Sequence, residues 1–100
     1  MAERYIDRVH TEHAVLDIGE DIGALVIYTR QELRGKEIEV SLKGNEVKRV
    51  HTAVWERSVN GRTMFAGIYP SLPAGDYIIW TTPPSEVTII GGQVAEVDLR

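Results

Sequence analysis

The dipeptide Asn60-Gly61 constrains this chain more than any other feature, because it separates two β-rich runs and both of its positions favour positive φ. A two-residue turn of that kind joins antiparallel strands and sets their register. With Asn60 and Gly61 as the central residues, Val59 faces Arg62, Arg57 faces Met64, Trp55 faces Ala66 and Ala53 faces Ile68. Successive side chains on a strand point to opposite sides, so the register divides the hairpin into two faces. One carries Ala53, Trp55, Met64, Ala66 and Ile68, and the other carries Val50, Thr52 and Val54 beside Phe65, Gly67 and Tyr69. Both are partly apolar. If Val50, Val54, Phe65 and Tyr69 fill a core, the face holding Trp55 and Met64 is left as a contact surface. The converse, with Trp55 inward and Phe65 outward, is the alternative.

Period-2 runs bounded by Gly, Pro and Asn recur along the rest of the chain, about every ten residues. Residues 13–18 and 24–29 form a plausible hairpin across the glycine-bounded loop 19–23. Residues 31–35 read as one helical turn ended by Gly35 or as a crossover between sheets. Residues 37–42 alternate strictly, placing Ile38, Val40 and Leu42 on one face and Glu37, Glu39 and Ser41 on the other. Strands are expected over 49–57, 62–69, 76–80, 86–90 and 93–99, with 70–75 as a proline-stiffened turn and Gly91-Gly92 as another. The expected fold is all-β, an antiparallel two-sheet sandwich of about seven to eight strands. It is one domain over residues 1–100, with 1–9 as a flexible or edge segment.

Composition narrows the function classes. With 43% hydrophobic and 26% charged residues, the chain is globular rather than disordered. Its net charge of −4 is spread along the sequence and argues against nucleic acid as a partner. It contains no cysteine, which excludes disulfides, thiolate nucleophiles and thiolate metal sites. The first residues carry charges where a signal peptide needs an apolar run, and the longest apolar stretch, 24–28, falls far short of the ~20 residues of a membrane helix. A soluble, cytoplasmic protein with no membrane contact is expected.

Residues 61–65 (Gly-Arg-Thr-Met-Phe), 72–77 (Leu-Pro-Ala-Gly-Asp-Tyr), 87–89 (Val-Thr-Ile), 91–93 (Gly-Gly-Gln) and the pair Val97-Asp98 together form a pattern. It resembles the prealbumin-like sandwich of carboxypeptidase regulatory-like and Cna-B-type domains. The resemblance is at the level of fold and covers roughly 61–99. It implies a prealbumin- or immunoglobulin-like arrangement in which Leu72 plugs one end of the sandwich, Gly75 permits a tight turn and Tyr77 enters the core. It also implies a domain that binds, spaces or stabilises.

Candidate chemistry is sparse. His10, His13 and His51 are the neutral-pH ligands available, and a divalent transition metal held by them, with a carboxylate such as Glu12, is the alternative to ordinary surface histidines. Residues three apart on a strand face opposite ways, so His10 and His13 converge only if the chain bends. Asp17, Glu20 and Asp21 crowd one loop but match no calcium-loop spacing. Ser71 lies between prolines without a nucleophile context, and Glu37 and Glu39 read as an exposed strand face rather than paired catalytic acids. Tyr28, Tyr77 and Trp80 line either a ligand pocket or the core. The expectation is a non-catalytic interaction or structural module without a cofactor, associating with itself or another protein through Trp55, Met64 and Ile68. The alternative is a small metal- or ligand-binding protein.

Overall fold

The computed structural model describes residues 16–100, and within them the chain forms two four-stranded sheets. The strands are β1 (Ile22–Thr29), β2 (Glu37–Leu42), β3 (Val50–Ala53), β4 (Trp55–Val59), β5 (Arg62–Pro73), β6 (Gly75–Ile79), β7 (Ser85–Ile89) and β8 (Val94–Asp98). Sheet I runs β4-β5-β1-β8 and sheet II runs β3-β2-β6-β7. All pairs are antiparallel except β1 with β8, which are parallel. The all-β two-sheet sandwich expected from the sequence is therefore the fold found, with one parallel pair added. Residues 1–9, His10, His13 and the start of the 13–18 run lie outside the described residues.

The Asn60-Gly61 turn is formed as its chemistry requires, with φ of 52° and 78°. It sets Val59 opposite Arg62, Arg57 opposite Met64 and Trp55 opposite Ala66. The expected partnership of Ala53 with Ile68 does not form. The run 49–57 is two strands rather than one: β3 pairs with β2 in sheet II, placing Ala53 opposite Glu37, and β4 pairs with β5 in sheet I. The chain changes sheet at Val54, which is fully buried. No glycine or proline marks the place, since the switch is driven by burying Val54 rather than by a local breaker.

Strand β5 runs on through Pro73 where a turn at 70–75 was expected. It pairs with β1 as far as Pro73, with a register shift between Gly23 and Leu25 that leaves Pro70 and Ser71 opposite Ala24. Ala24 donates its N–H to Gln93 on its other side instead. Because β4 pairs with β5 only as far as Ala66, its flank opens beyond that point, and Pro70 removes no ladder bond there. Leu16 to Ile18 form no strand, but the Asp17 N–H donates to the Pro70 carbonyl (3.1 Å). Residues 31–33 make a single 3-10 turn inside the crossover from sheet I to sheet II.

The main core lies between the sheets and is built from Leu25, Ile27, Ile38, Val40, Val54, Tyr69, Leu72, Tyr77, Ile79 and Ile89. Of Val50, Val54, Phe65 and Tyr69, expected to fill the core, Val54 and Tyr69 do so and Phe65 packs on this cluster from a half-buried position, whereas Val50 is 44% exposed at its edge. Tyr69 reaches across the sandwich and donates its hydroxyl to the carbonyls of Ile38 and Val50 in sheet II. Leu72 and Tyr77 are buried. Gly75 has φ +150°, and a Cβ there would meet Leu42 Cδ2 at 2.9 Å. A second cluster, Val26, Tyr28, Ala66 and Ile68, lies on the opposite, outer face of sheet I, with Leu16 and Met64 packed against it.

Candidate functional site: the Trp55 corner and the end groove

Two of the four segments that change sheet, 30–36 and Val54, meet and are stitched together. The Gly35 N–H donates to the Val54 carbonyl (2.7 Å), and the Val54 N–H donates to the Lys36 carbonyl (2.9 Å). Two backbone bonds to a buried crossover hold the next residue, Trp55, in a defined place. Its ring lies over Gly35, where a Cβ would come within 4.0 Å of Cζ3. The Arg34 guanidinium sits 5.9 Å from the ring centroid and bonds Glu56 through Nε (3.2 Å). Trp55 is nonetheless 47% exposed.

The same 3-10 turn walls a groove of about 490 Å³ on its other side. Leu33, Ile38, Trp80, Pro83 and Leu99 supply apolar surface, while Lys36, Glu37 and the hydroxyls of Thr81, Thr82 and Ser85 supply polarity. Trp80 is not a core residue. It donates Nε1–H to the buried Ser41 hydroxyl (2.9 Å) and carries the Arg49 guanidinium 3.9 Å from its ring centroid. Arg49 Nη1 in turn bonds Glu39 (3.1 Å).

The residues singled out from the sequence separate in space. Of the contact face, Ala66 and Ile68 are buried in the second cluster, Met64 is half-buried against it and Trp55 is its exposed member. Ala53 belongs to sheet II. Arg57 lies between Trp55 and Val59 in the same register; its Nε is buried without a hydrogen-bond partner among the described residues, and burial lowers its pKa. His51 is exposed on the outer face of sheet II, its Nε2 3.7 Å from Glu37. Among the described residues no three His, Asp or Glu side chains are grouped to hold a metal ion. Asp17, Glu20 and Asp21 are exposed around the 19–23 turn, and the Asp21 carbonyl accepts from Ala74 (2.8 Å). Ser71 is exposed at the bulge. Of the three aromatics weighed as pocket or core, Trp80 lines the end groove, Tyr77 lines a smaller cavity at the edge of the main core, and Tyr28 lies on the outer face of sheet I.

Sequence reasoning missed the Arg34–Trp55–Glu56 cluster and the Arg49–Trp80–Glu39 cluster. Both depend on where the chain changes sheets, and the only local signal for that was Gly35. Comparison with protein-family models, with curated proteins and with solved structures gives no match to this chain.

Proposed function

We propose that this domain is a non-catalytic β-sandwich that works by contact, first of all with a second copy of itself, through a surface anchored by Trp55. The observation that carries this reading is the half-exposed indole, held by a stitched corner and flanked by the Arg34–Glu56 pair. Tryptophan and arginine beside a small polar rim are what interface centres are rich in, and a preplaced ring loses little freedom on binding. Because Ile68 and Ala66 are buried, the anchor narrows from the whole outer face to its Trp55 edge.

The likeness to prealbumin-like domains supports a binding or spacing role. Leu72 and Tyr77, which carry that likeness, are buried, and Gly75 between them has a positive φ. The reading invokes no cofactor, and the net charge of −4 favours a protein partner over nucleic acid. Among the described residues no helix is long and apolar enough to cross a membrane, and a chain without cysteine suits a reducing compartment such as the cytoplasm.

Sedimentation from micromolar to millimolar concentration tests the proposal. The expected result is a concentration-dependent rise in mass that Trp55→Ala removes without changing the circular dichroism spectrum. A chain that is strictly monomeric over that range, with Trp55→Ala indistinguishable from it, overturns self-association.

A further inference from the structure

A second cavity, of about 230 Å³, opens at the edge of the main core beneath the 43–49 loop. Its walls are Val40, Leu42, Val50, Leu72, Pro73 and Tyr77, and Asn45 and Lys48 stand at it from the loop. The polar atoms of the lining, on Tyr77 and Ser41, are already engaged within the protein. The Tyr77 hydroxyl is committed to the Pro73 carbonyl (2.7 Å), and the Ser41 hydroxyl is engaged by Trp80 (2.9 Å).

The loop is basic in an acidic protein, with Lys43, Lys48 and Arg49 against Glu46. Lys43 is paired with Glu86 (3.3 Å) and Arg49 with Glu39 (3.1 Å). Among the described residues no carboxylate engages Lys48. An apolar slot whose mouth carries an amide and a cation that no carboxylate among the described residues engages is complementary to a ligand with an apolar body and an anionic head.

We propose that this slot binds a small amphipathic carboxylate, its hydrocarbon between Leu42, Val50 and Leu72 and its head on Lys48 and Asn45. A dry cavity of ~150 Å³ holds benzene, so this volume suits a chain of about six to eight carbons. The inference does not depend on the Trp55 corner.

Titration of the full chain with octanoate, followed by amide chemical shifts, tests it. Saturable shifts confined to residues 40–50 and 72–77 are expected. Lys48→Ala should weaken binding about tenfold, the loss expected for one charge-assisted hydrogen bond. Lys48→Arg should retain binding, and octylamine should not compete. Val50→Trp, a plug at the half-exposed mouth, should block the site while leaving the melting temperature near that of the parent. No saturable shift, shifts that map to the 490 Å³ end groove, or equal binding of octanoate by Lys48→Ala and the parent would each overturn the assignment.

Discussion

On the outer face of sheet I, Val26, Tyr28, Ala66 and Ile68 are buried, whereas on the outer face of sheet II Glu37, Glu39, Asp76 and Glu86 stand in solvent. Both sheets give their inner faces to one core, so the difference lies wholly in the second face. Strand β2 alternates apolar and polar, as a half-buried strand must. In β1 every residue from Gly23 to Thr29 is buried, as in a strand covered on both sides. Sheet I is thus buried on both faces where its strands β1 and β5 pair, and sheet II is an outer wall. Each outer face also carries an arginine clipped to a carboxylate above an aromatic ring: Arg100 with Asp98 over Tyr28, and Arg49 with Glu39 over Trp80. On sheet I that clip borders apolar packing, and on sheet II it shields one indole on a charged surface.

The comparison breaks most directly at its most buried point. Val26→Asp places an unpaired carboxylate in the second cluster and should cost about 3 kcal/mol or more. Glu86→Gln, on the outer face of sheet II, should stay within about 0.5 kcal/mol. Urea denaturation of the two variants measures the contrast directly. If Val26→Asp unfolds no more readily than Glu86→Gln, sheet I has no buried second face.

Tyr69 tests how firmly the unlike sheets are joined. Its hydroxyl, carried by sheet I, donates to carbonyls of sheet II, so Tyr69→Phe should cost about 1–2 kcal/mol. Burial, and after it the Glu39 carboxylate, raises the Tyr69 pKa well above the ordinary value. A group whose folded pKa is raised contributes stability in its protonated form, present below the unfolded value and lost as pH climbs above about 10. Tyr28 and Tyr77 are also raised by burial and act in the same direction. Tyr69→Phe should therefore flatten the alkaline fall in stability without abolishing it. An unchanged alkaline profile would remove Tyr69 as its main source.

The strands of both sheets were legible in the sequence wherever a pattern was local. The Asn60-Gly61 register and the alternation of β2 follow from turn chemistry and period-2 spacing, whereas the burial of Leu72 and Tyr77 was expected only from the resemblance to prealbumin-like sandwiches. The apolar run 24–28 already carried the signature of a strand covered twice, and β1 is that strand. What could not be read was which sheet each strand joins. Val54 looks like any other strand residue, yet it is the switch that sends Ala53 to Glu37 and Trp55 to Ala66. Trp80, left open between pocket and core, could not be placed locally either, since its surroundings come from Ser41 and Arg49, some 30 to 40 residues away in sequence. The Trp55 corner and the slot beneath the 43–49 loop are products of those long-range choices, so no local motif announces either.

The smallest effect should come from Asp98, and its sign discriminates a folded-state contact from a merely local one. The Arg100 side chain and backbone N–H both bond the Asp98 carboxylate at 2.9 Å and bring its pKa down to about 2. A depressed carboxyl pKa contributes stability above its unfolded value near 3.9, and that contribution disappears as pH falls through about 2. The partners are two residues apart and exposed, so the unfolded chain retains part of the same attraction and salt screens the rest. Asp98→Asn should therefore melt slightly below the parent at neutral pH in low salt, with the gap closing both at pH 2 and in molar salt. A gap that widens on acidification would mean that Asp98 is held by something other than Arg100, and the clip over Tyr28 would lose its basis.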